Sequence, residues 1–102
     1  MNVILLAAAR EDLTEIWTFG AIEWSMSRAD AYFGMLMAAI GRLGDHPLMA
    51  PPAAGLGPGY RRLVVRAHVV FYRVEGDVVE VVRVLHQSRD AGRWVKDVSS
   101  TD

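Results

Sequence analysis

The chain has 102 residues, 52% of them hydrophobic, no cysteine and a formal net charge of −1. That length holds one hydrophobic core, and the apolar content excludes a disordered chain. A disulfide framework is excluded outright, and there is no overall basic field to gather nucleic acid. The charge is uneven, with three Arg and six acids in residues 1–50 against seven Arg, one Lys and six acids in residues 51–102.

In chain order, Asn2–Leu6 is short, apolar and partly β-branched, which predicts a buried strand. Its continuation into Ala7-Ala8-Ala9 resembles the end of a signal peptide, but the segment has no cationic start. From about Ala8 the period becomes helical. Leu13, Ile16, Trp17, Gly20, Ala21 and Trp24 fall on one face, with Arg10, Glu11, Glu15 and Glu23 off it. Ser27, followed three residues on by Asp30, predicts the cap of a second helix carrying Ala29, Tyr32, Phe33, Leu36, Ile40 and Leu43. Pro47 ends it near Asp45. No run approaches the roughly 20 apolar residues of a membrane span.

Residues 46–59 hold all four prolines and no Asp, Glu, Lys or Arg. A loop that long in a small domain is either functional or packed across the core. Beyond it Arg61–Val65, Ala67–Val74 and Val78–Leu85 alternate like strands, with Glu75-Gly76-Asp77 as a hairpin turn. A helical turn is expected around Asp90–Val95. The order β-α-α-β-β-β predicts an α+β domain, an N-terminal helical hairpin packed on a four-stranded, mainly antiparallel sheet. One domain is expected over 1–102, with a folded core to residue 95 and a frayed tail from 96.

The chemistry-bearing residues are sparse. His46, His68 and His86 lack zinc-ligand spacing, and no metal or cofactor is expected. Gly55-Leu56-Gly57-Pro58-Gly59 precedes a strand, with no Lys-Ser/Thr, so it is a turn and not a phosphate loop. Ser88, His86 and Asp90 make a triad only on paper, because sequence neighbours seldom reach the mutual geometry. The Arg series is more informative: Arg61, Arg62, Arg66, Arg73, Arg83, Arg89 and Arg93. Strand alternation puts Arg83 on the face of Val79, Val81 and Leu85, where it needs an acceptor or a sheet end. Structural ion pairs and an anionic or protein contact patch both remain open for this series. Met26, Met35, Met37 and Met49 cluster in and around the second helix, suiting either core gap-filling or an adaptable partner surface.

The whole chain resembles the ParE toxins of bacterial toxin–antitoxin systems, within the RelE/ParE superfamily. The resemblance lies in Asp12-Leu13-x-x-Ile16-Trp17, Ala29-Asp30-Ala31-Tyr32, Gly59-Tyr60-Arg61-Arg62 and His68-Val69-Val70-Phe71-Tyr72-Arg73-Val74. Above all it lies in Val82-Arg83-Val84-Leu85-His86-Gln87-Ser88-Arg89-Asp90. It implies a cytoplasmic, non-enzymatic toxin that inhibits DNA gyrase and forms a hetero-oligomer with a ParD-like antitoxin. It further implies an antitoxin-binding groove from Trp17, Trp24, Tyr32, Met35, Leu36, Met37 and Ile40. Target contact would then fall to Arg61, Arg62, Arg83, His86, Arg89 and Trp94. The sister RelE branch cleaves mRNA on the ribosome with an arginine where this chain has Val69 and a tyrosine where it has Trp94. Ribosome-dependent cleavage and an inactive antitoxin-binding module are the alternatives.

Overall fold

The computed structural model describes residues 1–89 and 91–93. Strand β1 (Asn2–Leu5) leads into helix α1 (Ala7–Glu23) and helix α2 (Met26–Arg42); strands β2 (Tyr60–Val65), β3 (His68–Glu75) and β4 (Val78–His86) follow. The sheet order is β1-β4-β3-β2, with β1 parallel to β4 and the other pairs antiparallel. The α+β architecture and element order are those expected. No helix among the described residues is long and apolar enough to cross a membrane.

The second helix starts earlier than Ser27. Ser25 is the cap, its Oγ accepting from the Arg28 N–H at 3.1 Å. The two helices are tied by the Trp17 Nε1–H, which donates to Asp30 at 2.7 Å. Gly20 eases their close packing, since a Cβ there would stand a tight 3.3 Å from that of Ala29.

The helix–sheet core gathers Ala9, Leu13, Leu36, Ile40 and Leu43 against Val70, Tyr72, Val79, Val81 and Val84. Leu36, Ile40 and Leu43 are each at most 1% exposed. Full burial of such a side chain contributes about 1.5–3 kcal/mol.

The sheet's other face is also covered. The 46–59 loop starts on the helix side, where Ala50 joins the core, bridges the edge strand β2 at Pro52–Arg61, and then sends Ala53 and Leu56 against Val69, Phe71, Val82 and Leu85. Four hydrogen bonds anchor it: Tyr72 Oη to the Pro47 carbonyl (2.8 Å), Arg61 Nη1 to the Ala50 carbonyl (2.7 Å), the Ala53 N–H to Tyr60 and the Arg62 N–H to Pro51. The loop therefore wraps the β2 edge, and its second half forms an irregular cover on the face opposite the helices.

Strict alternation fails in β4. Phe71 pairs with Arg83 but Tyr72 pairs with Val81, so Val82 is a bulged extra residue. Val79, Val81 and Val84 consequently all reach the helix-side core, while Val82 and Leu85 join the opposite cluster. The expected single face for Val79, Val81, Arg83 and Leu85 is thereby corrected. Arg66 lies in the two-residue turn between β2 and β3, at φ +54°.

Candidate functional site

β1 stops at Leu5, but β4 runs on to His86, so the end of β4 has an edge with no strand beside it. α1 fills that place. The buried Asp12 carboxylate accepts from the Val84 N–H at 2.9 Å and takes a two-pronged ion pair from Arg83, both contacts 2.7 Å. Asp12 raises the Arg83 pKa, through the hydrogen bond first and its charge as well, against the opposing effect of burial. Arg83, expected at a target contact, is thus a structural partner with its side chain 12% exposed. Sequence reading missed Asp12. The signal was there, since Ala9, Asp12/Leu13, Ile16 and Gly20 share a helical stripe, and a buried carboxylate demands a cation.

Beside this pair a groove of about 1110 Å³ opens between the helical hairpin and the ends of β3 and β4. Glu11, Glu15, Ile16, Phe19 and Trp24 line its helical wall. Tyr32, His68, His86 and Arg89 line the remainder. Phe19 and Trp24 meet edge to face at 6.3 Å. With Ile22 and Met26 they leave the hairpin tip strongly apolar and 55–76% exposed.

Two of the three histidines do meet. His68 and His86 are cross-strand partners with ring centroids 5.5 Å apart. His68 Nδ1 shares a 2.6 Å hydrogen bond with the Tyr32 hydroxyl. Burial, then the neighbouring His86, lowers the His68 pKa, and burial raises that of Tyr32. His86 Nδ1 accepts the Ser88 N–H at 3.1 Å, and the Ser88 hydroxyl lies 2.9 Å from the same nitrogen. Accepting the Ser88 N–H at Nδ1 places the neutral ring's hydrogen on Nε2. Asp90 lies outside the described residues. Among the described residues no group of three His, Asp or Glu is placed to hold a metal ion.

The residues expected to form the antitoxin groove divide. Tyr32 and Trp24 line it; Trp17 is half-buried in the helix–helix tie. Leu36 and Ile40 are correct as helical stripe residues but are wholly buried in the core, so they present no surface. Met37 packs on that core, and Met35 receives Arg66 Nε on its sulfur at 3.2 Å. Of the expected target contacts, Arg61 is spent anchoring the loop. Arg62 and Arg89 line a second depression on the opposite sheet face; His86 touches its rim, but its ring packs against His68 on the helix side. Trp94 lies outside the described residues. Arg73 is held by Glu80 at 2.7 Å and the Tyr60 hydroxyl at 2.9 Å.

Residues 3–91 match the family model described as the ParE toxin of the type II toxin–antitoxin system, parDE. Over 83 residues the chain is 46% identical to toxin ParE1 of Caulobacter vibrioides, covering 81% of this chain and 85% of that one. It is 38% identical over 91 residues to toxin ParE1 of Mycobacterium tuberculosis, covering 88% and 93%. A solved structure titled "Chromosomal ParDE TA system from P. aeruginosa" shares the fold with a TM-score of 0.76 at 17% identity, covering 84% of this chain and 95% of that one. The extent and level of these matches place the chain in the ParE toxin family of type II toxin–antitoxin systems.

Proposed function

We propose that this chain inhibits DNA gyrase and is neutralised by direct binding of a ParD-like antitoxin. The observation that carries the antitoxin half is the apolar tip of Phe19, Ile22, Trp24 and Met26, continuous with the 1110 Å³ groove. Large exposed apolar side chains beside a concave site mark a partner surface. The solved relative titled as a ParDE system supports the same reading. Glu11 and Glu15 on the helical wall favour a segment that brings cations to that side. The gyrase half rests on family membership, and the toxin is read as an inhibitor rather than an enzyme.

Two reactions with purified, antitoxin-free protein test it. One follows gyrase supercoiling and cleaved plasmid, the other mRNA on translating ribosomes. Linearised plasmid with intact mRNA is the expected result. Cut mRNA with normal supercoiling would replace the gyrase reading with ribosome-dependent cleavage. Silence in both assays, with antitoxin still bound, would leave an inactive binding module. For the antitoxin half, Trp24→Glu should weaken antitoxin binding at least tenfold with the fold intact. Unchanged affinity would move the docking surface elsewhere.

A further inference from the structure

Glu11, Glu15, Phe19 and Ile22 recur at helical spacing and form one exposed stripe of α1. The first three line the groove, and Ile22 extends the stripe onto the apolar tip. Its chemistry changes along its length, acidic at mid-helix and apolar toward Trp24. At a rise of about 1.5 Å per residue, Glu15 stands about 6 Å along the helix from Glu11, and Phe19 about 6 Å further. We propose that Glu11 and Glu15 are the specificity residues of this groove. They admit a segment that carries two Lys or Arg side chains about 6 Å apart and, beyond them, a large apolar residue for Phe19 and Trp24. This inference rests on the antitoxin reading of the groove and deepens it: the apolar tip supplies adhesion, and the acids choose among antitoxins.

Among the described residues no side-chain hydrogen bond or ion pair reaches Glu11 or Glu15. The neighbouring Arg83 is held by Asp12 through two contacts. Arg10, the one cation of α1, donates to the Leu5 carbonyl at 2.6 Å. Like charges four residues apart on a helix repel each other. The same helix ends on Glu23 with no base in its last turn, where the macrodipole disfavours an acid. Both placements work against the free helix. Cations on a docked segment would turn the repulsion between Glu11 and Glu15 into attraction. A segment with acids at those points would be repelled, so the pair discriminates between partners that share the same apolar anchor.

The test measures the affinity of the full chain for the purified ParD-like antitoxin at low and at high salt. The double variant Glu11→Gln/Glu15→Gln should weaken binding about tenfold at low salt and much less at high salt, where the pairing is screened. Its Tm should not fall, because the change removes a repulsion. Glu11→Lys/Glu15→Lys should weaken binding about a hundredfold, and changing single Lys or Arg residues of the antitoxin to Glu should restore part of it. Asp77→Asn, in the β3–β4 turn, should leave affinity unchanged. Full affinity of both double variants, with Trp24→Glu impaired, would overturn this inference and leave the antitoxin reading standing. Full affinity of all three would overturn both. A loss equal at low and high salt, a lowered Tm of the Gln variant, or no recovery with any charge reversal in the antitoxin would each overturn selection by charge.

Discussion

Removing the Asp12 carboxylate should be among the most damaging single changes to this fold. Asp12 accepts three hydrogen bonds, two from Arg83 and one from the Val84 N–H, in a site where the two side chains are 8% and 12% exposed. Deleting one partner of a buried ion pair costs about 3–5 kcal/mol, because the other charge stays behind. Arg83 lines the open groove and can regain some water there, which favours the lower figure, about 3 kcal/mol. For a domain of this length each kcal/mol lowers Tm by roughly 4–8 °C, so Asp12→Ala should lower it by about 12–24 °C. Urea unfolding followed by tryptophan fluorescence and far-UV circular dichroism measures the loss. Arg83→Met and the Asp12→Ala/Arg83→Met double variant complete a cycle whose coupling should exceed about 1.5 kcal/mol. A cost for Asp12→Ala below about 1 kcal/mol, or an additive cycle, would refute the reasoning.

Further outcomes follow from the same geometry. Leu36→Ala should destabilise by about 2–5 kcal/mol with antitoxin affinity per folded molecule unchanged; reduced affinity of the folded variant would restore Leu36 to the interface. Ser25→Ala should cost about 1 kcal/mol through loss of the α2 cap, measured by the same urea titration, and a neutral result would mean the cap contributes nothing. His68 has a folded-state pKa lowered by burial, so the unfolded chain takes up its proton first as pH falls. Its contribution is complete above its ordinary value near 6.5 and is lost as pH drops from there toward the folded value. His68→Phe should flatten stability over that window, and an unchanged slope between pH 7 and 5 would assign the effect elsewhere.

The order of elements was legible because periodicity reports burial. Val-rich alternation marked β3 and β4, and the helical stripe of Leu36, Ile40 and Leu43 marked the face of α2. The bulge at Val82 was not legible. One extra residue leaves composition and hydrophobicity untouched, yet reassigns the face of everything beyond it. Capping was misread by two residues because Ser25 and Ser27 are chemically equivalent, and only backbone geometry separates them. For the candidate site, sequence identified the arginines but not their partners. Arg83 and Asp12 lie at opposite ends of the chain, and Arg61 reaches a backbone carbonyl that no side-chain pattern announces. The pairing of His68 with His86 depends on strand register, which two isolated histidines cannot reveal.

The parallel pairing of β1 with β4 joins the first of the described strands to the last of them. Both surfaces that bury α1 and α2 are centred on Val79, Val81 and Val84, or on strands that need β4 beside them. During synthesis the helices therefore emerge long before anything exists to cover their apolar stripes. The helical hairpin must wait, exposed, until β4 has cleared the ribosome, because the sheet that covers it is incomplete before then. Any activity that needs the finished sheet begins only then, and a ligand selective for the early helices would meet this chain before it is folded.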